Sequence, residues 1–333
     1  MTPKTLRITA GIAISLAFLA GAFYKVRLGE LWTALKGINL FALLMCLFFF
    51  GISCIFRAVM WRVTTRPLQQ VGFSALFGGV IVGYMANNLL PVRAGELVRT
   101  YYLAARTGIP GAAVFSTVCI ERVLDLVSLG LLLAAGIFWG IRGLTPHTAG
   151  LTLVVLATTL AAGALILSGL VRLNKLPEKS GGILVRACNR VKEFLEPVGK
   201  LQQSKTLLLL VGLSLAAWAS NYLSLLPLVY GAQNRPEAAL LLLLFINLGL
   251  LIPSSPGALG VMQVAFWTAL APFGISKEQA LALSLAYQGG LYLFTLAVGL
   301  PYAAQAPVKL TKIAASQPLT GAEAAGTGNR KTR

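Results

Sequence analysis

The sequence predicts an all-α polytopic membrane protein with six full spans and two re-entrant hairpins. Of its 333 residues, 57% are hydrophobic and 11% are charged, whereas about 25% of the residues of an ordinary soluble domain are charged. The hydrophobic residues also recur in long bands, and about 20 such residues are enough for a helix to cross a bilayer. Together these features exclude a soluble globule and an intrinsically disordered chain.

The spans follow from the apolar bands, and the hairpins follow from the charges between them. The predicted full spans cover residues 8–24, 40–60, 112–140, 149–171, 206–230 and 280–302. The band at 71–90 lies between two basic clusters, at 57–66 and 93–106. A full crossing would place these clusters on opposite sides of the membrane, which the positive-inside rule disfavours. We therefore predict a hairpin that enters and leaves on one side, and a second hairpin over the short bands at 238–252 and 261–273.

The distribution of basic residues predicts the orientation of the chain. With two hairpins, 21 of the 28 Lys and Arg residues share one side, which we assign to the cytoplasm. Both termini then lie in the cytoplasm, and the protein is predicted to be a multi-pass protein of the cell membrane. Residues 1–314 form a single integral membrane domain, with an amphipathic interfacial helix near residues 183–201. Residues 315–333 are predicted to be a disordered cytoplasmic tail.

An internal repeat relates the two halves of the chain. Pro91 and Pro253 are each followed four residues later by glycine, at Gly95 and Gly257, and Pro256 lies beside the second of these breaks. The units cover about residues 6–140 and 148–303, and the predicted topology inverts one relative to the other. Inverted repeats with broken helices are typical of secondary transporters. The alternative is an old duplication that has no transport role.

Ionisable and polar residues inside the apolar bands are the candidate functional residues. Glu121 and Asp125 lie on one face of a predicted span, beside Arg122. Charges at such depth are costly unless they are paired or hydrated, so they are interpreted as a structural ion pair or as a headgroup or proton site. These interpretations are compatible, because Arg122 can pair while the acids face a cavity. The hairpin breaks add polar groups, and a helix start there suits a phosphate or carboxylate. The predicted cavity residues are Asn88, Arg93, Glu96, Arg99, Glu121, Arg122, Asp125, Ser254, Ser255 and Gln288.

Catalytic and metal sites are not indicated. The four cysteines lack metal-ligand spacing, and the single histidine, His147, falls in a short loop. Nucleotide-binding glycine patterns are also missing from the sequence. We therefore expect no enzymatic activity and no cofactor. The net charge of +18 is explained by the membrane topology and by attraction to anionic lipid, rather than by nucleic acid.

The segments NNLLPVRAGELVRTYYL, ERVLDLVSL and PSSPGALGVMQVAF resemble the flippase-like family of the lysylphosphatidylglycerol synthase transmembrane region. The resemblance covers about residues 6–302. It implies movement of a lipid between leaflets, with aminoacylated phosphatidylglycerol as the cargo in fused synthases and other anionic or polyprenyl lipids in stand-alone members. It also implies a lipid-modifying enzyme or a glycosyltransferase as a protein partner.

The predicted function is that of a lipid translocase with an anionic phospholipid or a polyprenyl-phosphate lipid as cargo. Three alternatives remain open at this point. The first is an ion-coupled carrier of a small anion, with Glu121 and Asp125 as proton sites. The second is a membrane-embedded lipid transferase. The third is a scaffold subunit of a glycolipid pathway that transports nothing itself.

Overall fold

The protein is all-helical throughout the residues that the structure, a computed structural model, describes: 15–90, 94–138, 204–233, 235–250 and 255–305. This confirms the predicted all-α class. Two short 3₁₀ turns, Pro256–Ala258 and Ala271–Phe273, flank the ninth helix. The helices are α1 (residues 15–23), α2 (Leu28–Lys36), α3 (Leu40–Thr65), α4 (Phe73–Leu89), α5 (Gly95–Thr107), α6 (Gly111–Phe138), α7 (Ser204–Gln233), α8 (Pro236–Gly249), α9 (Val261–Leu270) and α10 (Lys277–Ala304).

Within the described residues, four stretches are long and apolar enough to cross a membrane: Leu40–Thr65, Lys205–Tyr230, Pro256–Phe273 and Lys277–Ala304. Helix α6 has 28 residues but carries three charged residues in its middle. Helices α4 and α8 are shorter apolar helices, of 17 and 14 residues. The six-span count and the inverted repeat stay predictions, because the predicted span at 149–171, the interfacial helix and the tail lie outside the described residues.

Helices α3 and α7 pack against each other in antiparallel orientation along much of their length. Near one end, Cys46 of α3 lies in a buried cluster with Leu225 of α7. Near the other end, Met60 packs with Leu210. The start of α3 is fixed by its own sequence, because the Asn39 side chain accepts hydrogen bonds from the N–H groups of the first turn. This long apolar contact supports the shorter helices around it.

Helices α4 and α5 form a tight antiparallel hairpin. The Asn87 side chain accepts a 2.8 Å hydrogen bond from the Gly95 N–H group, which satisfies a donor at the start of α5. The backbones touch here, since a Cβ atom on Gly95 would lie 2.2 Å from the Gly83 carbonyl oxygen. Val71, before α4, and Ile109, after α5, share one buried cluster. The chain therefore leaves this hairpin at the end where it entered.

Helices α8 and α9 approach each other around a second break in the chain. Gly249 ends α8 beside Val261 at the start of α9. Gly257 and Gly260 have φ angles of +68° and +85°, a conformation that glycine adopts without steric cost. Gly257 also packs under the Tyr292 side chain of α10. Helix α4 contacts the Pro256–Ala258 turn, so the two breaks are adjacent.

Candidate functional site

Six ionisable residues from three helices meet between the first hairpin and the α3–α7 pair. Helix α6 presents its carboxylates to both neighbours, because Glu121 and Asp125 are one turn apart on the same face. The members of this ion cluster are Arg57 from α3, Glu96 and Arg99 from α5, and Glu121, Arg122 and Asp125 from α6.

Arg57 connects α3 to α6 through Asp125. Its Nη1 atom donates to both Asp125 carboxylate oxygens, at 2.9 and 3.1 Å, and lies 3.3 Å from Glu121 Oε1. Trp218 of α7 donates from Nε1 to Asp125 Oδ1 at 3.0 Å, and the Arg57 guanidinium lies 5.7 Å from the centre of the Trp218 ring. The Asp125 carboxylate is thereby held by a charged donor from α3 and by a neutral donor from α7.

Arg99 connects the first hairpin to α6 through Glu121. Its Nη1 atom lies 3.2 and 3.1 Å from the two Glu121 carboxylate oxygens, and its guanidinium stacks 5.2 Å from the centre of the Trp61 ring. Trp61 is itself fixed by a 2.8 Å hydrogen bond from its Nε1 atom to Thr117 Oγ1. The side chains of Arg57, Arg99, Glu121 and Asp125 are each at most 6% exposed. Their two positive and two negative charges cancel within this buried part.

Arg122 and Glu96 form the exposed edge of the ion cluster. Arg122 Nη2 donates to Glu121 Oε1 at 2.8 Å and lies 3.2 Å from Asp125 Oδ2. Its Nη1 atom faces Glu96 Oε1 at 3.6 Å, and the two side chains are 43% and 31% exposed. One side of the Arg122 guanidinium is therefore held by the interior, and the other is accessible from outside the bundle.

Four buried guanidinium nitrogens have no hydrogen-bond partner among the described residues. They are Arg57 Nε, Arg99 Nε, Arg99 Nη2 and Arg122 Nε. A buried donor without an acceptor costs about 1–3 kcal/mol. The cluster is balanced in formal charge but has more N–H groups than acceptors, so it has the capacity to bind further acceptor oxygens.

Five of these six residues are among the predicted cavity residues, and Arg57 is not. The sequence groups Arg57 with the basic cluster at 57–66 that follows a span, whereas α3 continues through this cluster to Thr65. Arg57 is buried at 3% exposure. The available signal was the apolar pattern, which persists through Met60 and Trp61 beyond the arginine. The two carboxylates on α6 also required more positive charge than Arg122 supplies.

The second-hairpin residues make contacts of their own. Gln288 Oε1 accepts from Gln263 Nε2 at 2.9 Å, and Gln288 Nε2 donates to the Gly257 carbonyl oxygen. The Ser255 N–H group donates to Ser15 Oγ of α1 at 2.7 Å. Asn88 of the first hairpin donates to Thr295 of α10 at 2.9 Å. That these residues line one cavity with the ion cluster stays a prediction, and Pro91, Arg93, Pro253 and Ser254 lie outside the described residues.

A separate cleft of about 600 Å³ opens at one end of the bundle. Helices α2, α7 and α10 line it, with Glu30, Pro227 and Gln279 among its residues. The cleft is lined by none of the predicted cavity residues that the structure describes. The ion cluster and this cleft are therefore different sites.

Residues 8–299 match the family model of the lysylphosphatidylglycerol synthase TM region. The chain belongs to this family. The family named in the sequence analysis is thereby confirmed, and all six residues of the ion cluster fall inside the matched range. Membership of this membrane family and the long apolar helices make the chain an integral membrane protein.

Two similar proteins come from archaea. The chain is 27% identical over 282 residues to the protein named glycosyltransferase AglD of Haloferax volcanii, with 70% of this chain and 44% of that protein covered. It is 27% identical over 128 residues to the UPF0104 membrane protein MJ1595 of Methanocaldococcus jannaschii, with 38% of each protein covered. The chain thus covers less than half the length of either relative.

Proposed function

We propose that this protein is a translocase that moves an anionic lipid headgroup, of the phospholipid or polyprenyl-phosphate type, between leaflets of the cell membrane. The observation that carries the proposal is the half-exposed Arg122 in the middle of α6. Arg122 lies eleven residues after Gly111, about 16 Å along the helix axis. The hydrocarbon core of a bilayer is about 30 Å thick, so this position is near its middle.

An arginine at such depth has few tolerable surroundings. A guanidinium that faces acyl chains costs several kcal/mol, so buried arginines face protein, water or a ligand. The interior carboxylates take the Nη2 side of Arg122, and the accessible Nη1 side needs a polar environment. A lipid headgroup that crosses the membrane needs the same environment. A polar path beside Arg122 would provide this environment for the guanidinium and for the headgroup, while the lipid tails stay in the bilayer.

The proposal includes the full topology: six spans, two re-entrant hairpins in an inverted repeat, and both termini in the cytoplasm. The bundle ends support it. Phe77 near the start of α4 packs against Tyr302 near the end of α10, as expected if both lie at the cytoplasmic end. The cleft lined by α2, the end of α7 and the start of α10 then opens outward. A single protein domain with two adjacent hairpins suits a carrier that alternates between leaflets.

The topology gives a labelling prediction. Single cysteines at the exposed positions Gln69 and Arg106, in a chain whose native cysteines are replaced, should react with an impermeant maleimide from the same side. A cysteine at Lys36, the exposed last residue of α2, should react from the opposite side. Sealed vesicles of known orientation provide the measurement. Labelling of positions 69 and 106 from opposite sides would exclude the first re-entrant hairpin.

The translocase proposal gives an activity prediction. Liposomes that contain the protein and fluorescent phosphatidylglycerol, phosphatidylethanolamine or a polyprenyl phosphate should show leaflet exchange, measured by quenching of the outer-leaflet dye. Arg122→Ala should lower exchange of the anionic lipids at least tenfold, since a hydrogen bond to a charged group contributes about 1.5–3 kcal/mol. Arg66→Ala, which changes an exposed arginine beyond α3, is the matched control and should leave exchange unchanged.

A second candidate function is favoured by the relative AglD, whose name is that of a glycosyltransferase. This chain would then be a non-transporting membrane subunit of a glycolipid pathway, or a lipid transferase itself. Chemical conversion of a lipid by the folded protein, without exchange, would replace the translocase proposal with the enzyme. Absence of both activities, together with co-purification of a glycosyltransferase, would favour the scaffold. Uptake of a small anion alone would identify the ion-coupled carrier.

A further inference from the structure

We propose that Glu96 is a displaceable counter-ion of Arg122, and that it sets the selectivity of the site for anionic lipid. In the resting protein the Glu96 carboxylate occupies the accessible side of the Arg122 guanidinium. An arriving phosphate takes that place, and Glu96 turns away. This inference rests on the proposed function in one respect, namely that Arg122 meets the lipid headgroup.

The charge distribution leads to this assignment. The interior pairs Arg57–Asp125 and Arg99–Glu121 are complete in themselves, with two charges of each sign and almost no exposure. Arg122 is then one positive charge in excess, and Glu96 is the remaining acid of the cluster. An anion that replaced Glu96 would keep the cluster neutral, whereas one that bound in addition to Glu96 would meet its repulsion at close range.

The geometry marks the Glu96 contact as the weakest in the cluster. Contacts among Arg57, Arg99, Arg122 and the two interior carboxylates run from 2.8 to 3.3 Å. The Arg122–Glu96 distance is 3.6 Å, beyond the range of a good hydrogen bond. Both side chains are partly exposed, and exposed ion pairs contribute little to stability. This pair is therefore the one that a ligand can break at low cost.

The position of Glu96 also suits an exchange of anions. Glu96 lies in the first turn of α5, where the positive end of the helix favours a carboxylate or a phosphate equally. Asn87 Nδ2 lies 3.5 Å from Glu96 Oε2, and Asn87 also caps α5 through the Gly95 N–H group. Exchange at Glu96 would leave that cap and the Arg99–Glu121 pair intact, so the hairpin would stay folded while the site changes its anion.

The test is equilibrium binding of short-chain lipids to the purified full chain in uncharged detergent, measured by calorimetry at fixed ionic strength. Glu96→Gln should lower the Kd of dioctanoyl phosphatidylglycerol roughly twofold to fivefold, the change expected from removing a competing partly exposed ion pair. The Kd of dioctanoyl phosphatidylethanolamine, which has no net charge, should not fall. Added salt should reduce the gain.

Two further variants separate exchange from a structural role. Arg122→Gln should weaken phosphatidylglycerol binding, and Glu96→Gln should give no gain in that background, because the proposed gain comes from releasing the Arg122 guanidinium for the phosphate. Glu30→Gln is the matched control: Glu30 forms a 2.6 Å exposed pair with Arg27 and lines the separate cleft, and its loss should leave the binding of both lipids unaffected.

Several results would overturn the inference. They are no gain in phosphatidylglycerol binding on Glu96→Gln, an equal gain for phosphatidylethanolamine, or a gain that persists with Arg122→Gln. Absence of phosphatidylglycerol binding in both the natural and the Glu96→Gln protein would also overturn it. If Glu96→Gln selectively improved phosphatidylglycerol binding but the protein exchanged no lipid, the counter-ion role would be supported and only the translocase proposal would be contradicted. The two proposals can therefore be tested separately.

Discussion

Replacing Arg57 with alanine is expected to destabilise the protein by about 3–5 kcal/mol, the cost of removing one partner of a buried ion pair. Arg57 donates to both oxygens of Asp125. Among the described residues, Asp125 would keep Trp218 and Arg122 as partners. The interior of the cluster would also change from neutral to one net negative charge. Thermal unfolding of the purified protein, followed by tryptophan fluorescence, should show a large fall in the midpoint.

A matched pair of variants shows whether the loss comes from the uncompensated charge. Arg62→Ala removes an exposed arginine from the same helix and should change the unfolding midpoint little. Arg57→Leu combined with Asp125→Leu removes both charges and should be more stable than Arg57→Ala, because a buried pair can often be replaced by apolar residues at small cost. If the double variant were the less stable of the two, packing of Arg57 rather than its charge would account for the effect.

Composition and the long apolar bands were enough for the all-α class, because bands of this length suit helices that satisfy their own backbone groups in a bilayer. The first hairpin was also predictable in outline. Its sequence carries Asn87, Pro91 and Gly95 between two basic clusters, which disfavour a full crossing. The structure describes α4 and α5 as two packed helices, although their depth in a membrane stays a prediction.

The site was predicted only in part, because the position of a charged residue in the sequence does not show which residue it pairs with in the folded protein. Glu121, Arg122 and Asp125 were evident as charges within an apolar helix. Arg57 was not, because a basic residue near the end of an apolar band is usually an interfacial anchor. The donor role of Trp218 gave no signal either, since a tryptophan in an apolar helix is normally explained by packing. Only the packing of α3 against α7 brings both residues to Asp125.

The first hairpin also depends on close backbone packing at Gly95. Helix α5 begins at Gly95, where the backbone of α4 approaches so closely that no side chain fits. An added Cβ atom would lie 2.2 Å from the Gly83 carbonyl oxygen and 2.6 Å from the Asn87 side chain. Asn87 can turn away only by giving up the cap on the Gly95 N–H group, and the Gly83 carbonyl belongs to backbone inside a helix.

Gly95→Ala is therefore expected to destabilise the protein by about 1–3 kcal/mol or more, the usual range for overpacking a tight contact. Separation of α4 from α5 would also shift Arg99 away from Glu121, so the substitution should impair leaflet exchange as well as lower the unfolding midpoint. Gly212→Ala is the matched control. Gly212 lies within α7 with no atom within 4 Å of an added Cβ, so alanine there should stabilise its helix by roughly 0.5–1 kcal/mol. Equal unfolding midpoints for the two variants would mean that the α4–α5 backbones do not meet at Gly95.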